Sequence, residues 1–504
     1  MAGGCHVTTA PRGRTFDLAP LLRDNAGRML FNSYEFILGF LPLVFLGFYA
    51  TAWVTRTGAA AWLGLASLFF YGWWSWAALP LLVTSICVNY LFGIWIVRAA
   101  DRAQRHALLT AAVGANLVTL GWFKYSNFFL QTVNAIAGDA GHRTELLNVV
   151  LPIGISFYTF TQIAFLVDCH QGKVRETRFL HYLLFVTYFP HLIAGPVLHH
   201  AQMMPQFAKP ETYRISPSKF AAGIALFTMG LAKKVLIADP NGLAANRLYD
   251  APGAPDFFLA WHGTLSYAFQ IYFDFAGYSD MALGLSLMFG IRLPINFNSP
   301  YRATSIIDFW RRWHISLSTF LRDYLYVPLG GSRHGAFRRY ANLMITMLLG
   351  GLWHGASWTF VVWGALHGLY LVVNHLWRRR GSAGGQSLGG RAAGWLLTFV
   401  AVCFAWVFFR AGSFADAIHV LRGLVGLSGL HWTPGAHQWA YIAVAFALAL
   451  FPWNSDVIAA RIEHWRDGRP AFTITTGFAM GVLLMFSIMR LSGQDSPQFL
   501  YFQF

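Results

Sequence analysis

The chain has 504 residues, of which 56% are apolar and 12% charged, with a formal net charge of +16 and a mean hydropathy of +0.46. Soluble domains carry about 25% charged residues, so a string of soluble domains is excluded. Apolar runs of about 20 residues recur to the C-terminus, and the class expected is an all-α polytopic membrane protein with about 11–13 transmembrane helices.

In chain order, residues 1–28 come first. They lack an apolar core, and Cys5 has no lipobox before it, so neither a signal peptide nor a lipid anchor is read there. Met29 opens MLFNSYEFILGF directly ahead of the first apolar run. Residues 1–28 are therefore expected to be a dispensable extension, and 29–504 a single membrane domain. Spans are expected near 36–54, 59–77, 79–97, 107–136, 147–168, 218–238, 260–289, 341–353, 358–376, 392–409, 438–453 and 471–490. The two long ones, 107–136 and 260–289, read as broken helices or helix pairs.

The loops alternate in charge. VRAADRAQRH, QGKVRETR, SRHGAFRRY and WRRRGSAGGQSLGGR are rich in arginine, whereas AGDAGHRTE, PNGLAANRLYDAPGAPD and GQDSPQ are not. With about a dozen spans the basic loops share one side, the cytoplasmic one, and both termini lie outside. Arg12, Arg14, Arg23 and Arg28 then fall on the outer side, against the rule. The excess charge is read as setting topology and attracting anionic membrane lipid, and no nucleic-acid partner is expected.

Two segments do not read as simple spans. Residues 181–198 are apolar but interrupted by Pro190, Gly195 and Pro196. Residues 305–331 are amphipathic, with Phe309, Trp313, Leu317, Phe320 and Leu321 at helical spacing. Irregular backbone at membrane depth needs protein or a wet cavity to satisfy it, so both are expected to be re-entrant or interfacial and to line an internal cavity.

Among residues that could carry chemistry, His354 stands out. It lies in GLWHGASWTFVVWGALHGLY, where no charged residue is at hand to pair with it. An ionisable group inside a span is a functional-site hypothesis, and imidazole exchanges protons near neutral pH. Gly350, Gly351 and Gly355 around it permit close approach; the alternative is a neutral histidine bonded to a neighbouring helix. His367, about 220° away on a straight helix, reads as a packed histidine. His314, in FWRRWHISLS, is either a base or part of an interfacial belt with Trp310, Arg311, Arg312 and Trp313. Asp274 and Asp280 need cationic or N–H partners if buried, and a structural ion pair is favoured over acid catalysis. Lys233 and Lys234 read as snorkelling residues. In DCHQG, Asp168, Cys169 and His170 are adjacent but point about 100° apart on a helix, and are set aside. The cysteines lack zinc-type spacing, no metal site is expected, and nucleotide-binding and hydrolase signatures are absent from the sequence.

The stretches DFWRRWHISLSTFLRDYLYVPLGGSR and GLWHGASWTFVVWGALHG resemble the membrane-bound O-acyltransferase (MBOAT) superfamily, in particular its bacterial alginate O-acetyltransferase membrane-subunit group. So do MLFNSYEFI, LPIGISFYTF, IAGPV, GLAKKVLIAD, YFDFAGYSDMALGLSLMFG and the C-terminal FLYFQF. The resemblance covers 29–504 and departs at Phe320 and in GGSRHG. It implies that His354 matches the family's near-invariant histidine and His314 its second one, in a central tunnel fed from both faces. The implied activity is movement of an acetyl group from a cytosolic thioester, with acetyl-CoA as co-substrate and no resident cofactor. The implied destination is an exported polysaccharide, alginate first, with acetylated cellulose, peptidoglycan or teichoic acid as alternatives, reached through a periplasmic acetyltransferase partner and the polysaccharide export complex at the bacterial inner membrane. The rival reading is a transporter that carries the acetyl donor across without chemistry, with the histidines as substrate or proton sites. Arg311, Arg312 and Arg322 would meet the polyanionic donor, and Asp274, Asp280, Trp353 and Trp358 are further donor-path candidates. The two histidine rings are expected about 10 Å apart, bracketing one path.

Overall fold

The computed structural model describes residues 29–137, 144–193, 195–251, 253–379, 387–432, 434–464, 470–491 and 499–500. The expected extension 1–28, the middle of the 377–391 loop and most of the C-terminal motif lie outside the described residues. Every regular element among those described is helical.

Among the described residues, seven helices are long and apolar enough to cross a membrane: Glu35–Val54, Leu79–Arg98, Arg102–Ala137, Pro217–Tyr249, Trp358–Arg379, Leu388–Arg410 and Ile474–Leu491. An eighth span results if Ala436–Leu450 and Ser455–Glu463, bent by 51°, count as one broken crossing. The other expected spans do not stand out by length and hydropathy alone: 59–77 lies in Arg56–Trp74 and 341–353 in Gly335–His354, and two more differ in structure. Phe257–Met288, 32 residues long, is buried along nearly its whole length; a helix enclosed by protein can carry serine, aspartate and tyrosine that lipid would not accept. The run at 147–168 becomes helical only at Ile155, after Gly154 adopts φ 71°. Neither long run is a broken pair: 107–136 lies in one helix that passes through a π-turn at Gly121–Tyr125, and 260–289 belongs to the single central helix.

Small residues let these helices touch. A Cβ on Gly230 would sit 2.6 Å from the Gly277 carbonyl, and one on Gly223 2.7 Å from the Gly284 carbonyl. The backbones of Pro217–Ala232 and Phe257–Met288 therefore meet at two notches, as small-residue motifs allow inside membranes. Gly335–His354 and Trp358–Arg379 pack in the same way: a Cβ on Gly351 would collide with the Phe360 carbonyl, and one on Gly364 with that of Met347. Polar locks complement the notches. Asn89 and Asn116 exchange side-chain hydrogen bonds of 3.2 and 2.6 Å between neighbouring helices.

Segment 305–331 folds as two short helices, Ile306–Trp310 and Ile315–Leu321, followed by a π-turn at Arg322–Tyr326. Phe309, Trp313, Leu317, Phe320 and Leu321 are all buried. The apolar face expected from the spacing is present, but the helix that was to carry it breaks at His314.

Candidate functional site

His354 is the last residue of Gly335–His354, because Gly355 turns extended at φ −159° and ψ 148°. A helix end leaves carbonyls without intrahelical donors. Here the Tyr125 hydroxyl donates to the Leu352 carbonyl at 2.9 Å, and Lys124 Nζ donates to the carbonyls of Trp353 and His354. The His354 ring is buried within an aromatic box, with centroids of Trp353, Trp363 and Phe409 at 4.9, 5.1 and 5.2 Å.

His314 is fully buried and has φ 44° and ψ 54°. Only Ser299 shares positive φ among the described non-glycine residues. The left-handed region is uncommon for a residue with a Cβ, and such strain persists only where the surroundings over-determine it. The surroundings are visible. The Ile315 amide donates to the Asn296 carbonyl at 2.9 Å. Ser316 Oγ donates to Asn296 Oδ1 at 2.6 Å and accepts from the Val197 amide at 2.9 Å, and Asn296 Nδ2 donates to Ser279 Oγ at 3.2 Å. Three separate segments thus clamp the turn, one of them the broken stretch at 181–198.

The clamp brings the imidazole of His314 to 6.4 Å, centroid to centroid, from that of His354, with planes tilted by 56°. This is closer than the separation expected from helix rise. Trp353 stands beside both rings, and Phe275 meets His314 edge-on at 4.6 Å. The arrangement sets two proton-exchanging groups side by side where water is scarce. His367 lies one ring beyond, edge to face with Trp363 at 4.8 Å and Trp310 at 5.2 Å, packed as expected.

The remaining candidates fall elsewhere. Asp274 binds Lys234 at 2.8 Å and accepts the Leu500 amide at 2.7 Å, while Lys234 also pairs with Asp239 at 2.7 Å. Asp280 pairs with Lys233 at 2.6 Å. The Lys234 pairs are buried and the Lys233 pair is partly so, and the snorkelling expected of Lys233 and Lys234 is corrected: both ammonium groups turn inward because carboxylates await them on the central helix. Arg312 is held by Asp308 at 2.9 Å and Arg322 by Asp323 at 2.7 Å; Arg311 is exposed. Trp358 is half exposed and donates to Thr132 Oγ1 at 3.2 Å.

Two features escaped the sequence reading. One is Lys124, aimed at the His354 helix end by the π-turn. The other is a network around Asp168, whose Oδ2 accepts from His200 Nδ1 and from the Tyr324 hydroxyl, each at 2.8 Å, with His199 Nδ1 3.0 Å from that hydroxyl. Burial pushes the His199 imidazole below its ordinary value, with Asp168 opposing. Both features join residues far apart in the chain, and no local pattern marks them.

Residues 108–413, which include both histidines and Lys124, match the membrane-bound O-acyltransferase family. A probable alginate O-acetylase of Pseudomonas putida is 40% identical over 94% of this chain and 100% of its own length. A peptidoglycan O-acetyltransferase of Helicobacter pylori is 43% identical over 80% of this chain and 81% of its own. A teichoic acid D-alanyltransferase of Bacillus subtilis is 27% identical over 53% and 70%.

Proposed function

This chain belongs to the membrane-bound O-acyltransferase family, and from that premise we propose that it moves acetyl from a cytosolic thioester, acetyl-CoA, toward O-acetylation of an exported polysaccharide at the inner membrane. The observation that carries the reading is the buried imidazole pair, 6.4 Å apart, one member held in strained backbone. His354 accepts the proton of the attacking hydroxyl. The new C–O bond forms as the thioester C–S bond breaks, and the departing sulfur leaves as thiol once protonated. His314 orients the reactants or returns that proton. General-base help of this kind contributes roughly 10²–10⁴-fold, and the aromatic box keeps water from the acyl group.

Donor from the cytoplasm and acceptor from the outer face meet at the pair through a tunnel. The acceptor is a hydroxyl of a periplasmic acetyltransferase partner that relays the acetyl to polymer through the export complex. Alginate is the polymer favoured, because similarity to the probable alginate O-acetylase of P. putida runs over 94% of the chain. Peptidoglycan is the second reading, supported by 43% identity to the H. pylori enzyme. The test is His354→Ala in a strain lacking the native gene. O-acetyl content of alginate, and of muropeptides in parallel, should fall to background in one of the two while protein abundance in the membrane is unchanged. Wild-type acetylation of both would end the catalytic reading.

A further inference from the structure

Lys124 is buried on a helix otherwise suited to crossing a membrane, and among the described residues it makes no ion pair. Its three acceptors, all within 3.4 Å, are the carbonyls of Trp353 and His354 and the Ser156 hydroxyl. A lysine ammonium has three donors and no acceptor, so the cation finds one acceptor for each N–H. Two of them are the final carbonyls of the helix that ends at His354. A cation at a helix C-terminus also complements the negative end of the helix dipole. The local backbone is shaped for this contact: Lys124 lies in the π-turn Gly121–Tyr125, a distortion often found at functional sites. The next residue, Tyr125, binds the preceding carbonyl, that of Leu352, at 2.9 Å. Three consecutive carbonyls of the His354 helix are thereby held by two consecutive residues from another span.

Resting on the reading of His354 as the base, we propose that Lys124 is a positioning residue for acyl transfer. It fixes the end of the Gly335–His354 helix, so that the His354 ring is held against His314 and its aromatic walls. Ser156, at the start of Ile155–His170, steadies the ammonium from a third side at 3.3 Å. The chain's own geometry explains why a buried cation is kept here: an apolar residue would leave the last two carbonyls of a buried helix end without these donors.

The proposal is tested in inverted membrane vesicles supplied with acetyl-CoA carrying a labelled acetyl group, with label scored in the exported polymer. Rates are expressed per folded molecule, counted by monodisperse elution after solubilisation. Lys124→Met should lower the maximal rate at least about tenfold and leave the apparent KM for acetyl-CoA within about twofold, the pattern of a group acting on the chemical step rather than on donor binding. Lys124→Arg should recover part of the rate. Asn116→Ala, which breaks a buried polar lock on the same helix, should lower yield but not the rate per folded molecule. Should Lys124→Met fail to accumulate, Tyr125→Phe and Ser156→Ala decide the matter. Each removes one bond at the same junction and should cost about threefold in maximal rate at unchanged KM. A wild-type rate in folded Lys124→Met, or in both milder variants, overturns the proposal. His354→Ala in the same vesicles separates the two readings. If it is inactive while Lys124→Met is normal, only the positioning role fails; if it is active, the base assignment fails first.

Discussion

At the scale of single residues, His314 offers a sharp test because its backbone and its ring make separate demands. The left-handed conformation disfavours most side chains by roughly 1–2 kcal/mol, but asparagine tolerates it. His314→Asn should therefore fold with near-wild-type yield and still lose most acetylation, whereas His314→Ala should lose activity and some stability together. Gel-filtration yield beside polymer O-acetyl content checks both; retention of more than half the acetylation by well-folded His314→Asn would make the ring dispensable. The buried pair of Lys234 and Asp274 makes a different prediction. Asp274→Asn removes one charge from a triad that also contains Asp239, and breaking a buried ion pair costs roughly 3–5 kcal/mol. Its thermal midpoint should drop markedly, and acetylation per folded molecule should change little. How legible these residues were depends on where their partners lie. His354 could be found because an ionisable ring among glycines and tryptophans is conspicuous in the sequence itself. Lys124 could not, since its acceptors are carbonyls some 230 positions away, and every residue owns a carbonyl.

At the scale of elements, the sequence predicts faces better than breaks. The apolar spacing from Phe309 to Leu321 identified five side chains that are indeed buried. The interruption at His314 is imposed from outside by Asn296 and Val197, so spacing gave no hint of it. The same asymmetry governs the spans. Runs facing lipid announce themselves by hydropathy, but Phe257–Met288 is surrounded by protein, and its length could be read as two helices. Close contacts between helices depend on single glycines, which predicts sensitivity there. Gly351→Val would drive its side chain into the Phe360 carbonyl, and overpacking of this kind costs about 1–3 kcal/mol. Because Gly351 lies one turn from His354, the variant should lose acetylation per folded molecule as well as thermal stability. Gly277→Val, against the Gly230 carbonyl, should lose stability first. Thermal unfolding and vesicle rates measured on both variants test the distinction.

At the scale of the whole molecule, the arrangement of charge makes one prediction that bears on every step of the proposed reaction. If the donor is a cytosolic thioester, the arginine-rich loops near 98–106, 170–178 and 333–340 must face the cytoplasm, and the turn at Asp250, after the Pro217–Tyr249 helix, the outer side, by the bias that orients short loops. The folded body supplies the anchor for this frame. Met29 and Phe31 are already buried, and Phe31 stacks on Tyr278 of the central helix at 4.7 Å, so the first span is seated in the core from its start. Segment 315–326 then enters from the basic side, which would bring Tyr324 and the Asp168 network to the donor's end of the path. Single cysteines placed at Arg102, Arg333 and Asp250, in a background with the native cysteines replaced by serine, provide the measurement. In intact cells with a permeabilised outer membrane, an impermeant maleimide should label the position of Asp250 and spare the other two; in inverted vesicles the pattern should reverse. Labelling of the position of Arg333 from outside would put the Arg322 end of the path on the outer side, where no acetyl-CoA is available, and the direction of transfer proposed above would have to be abandoned.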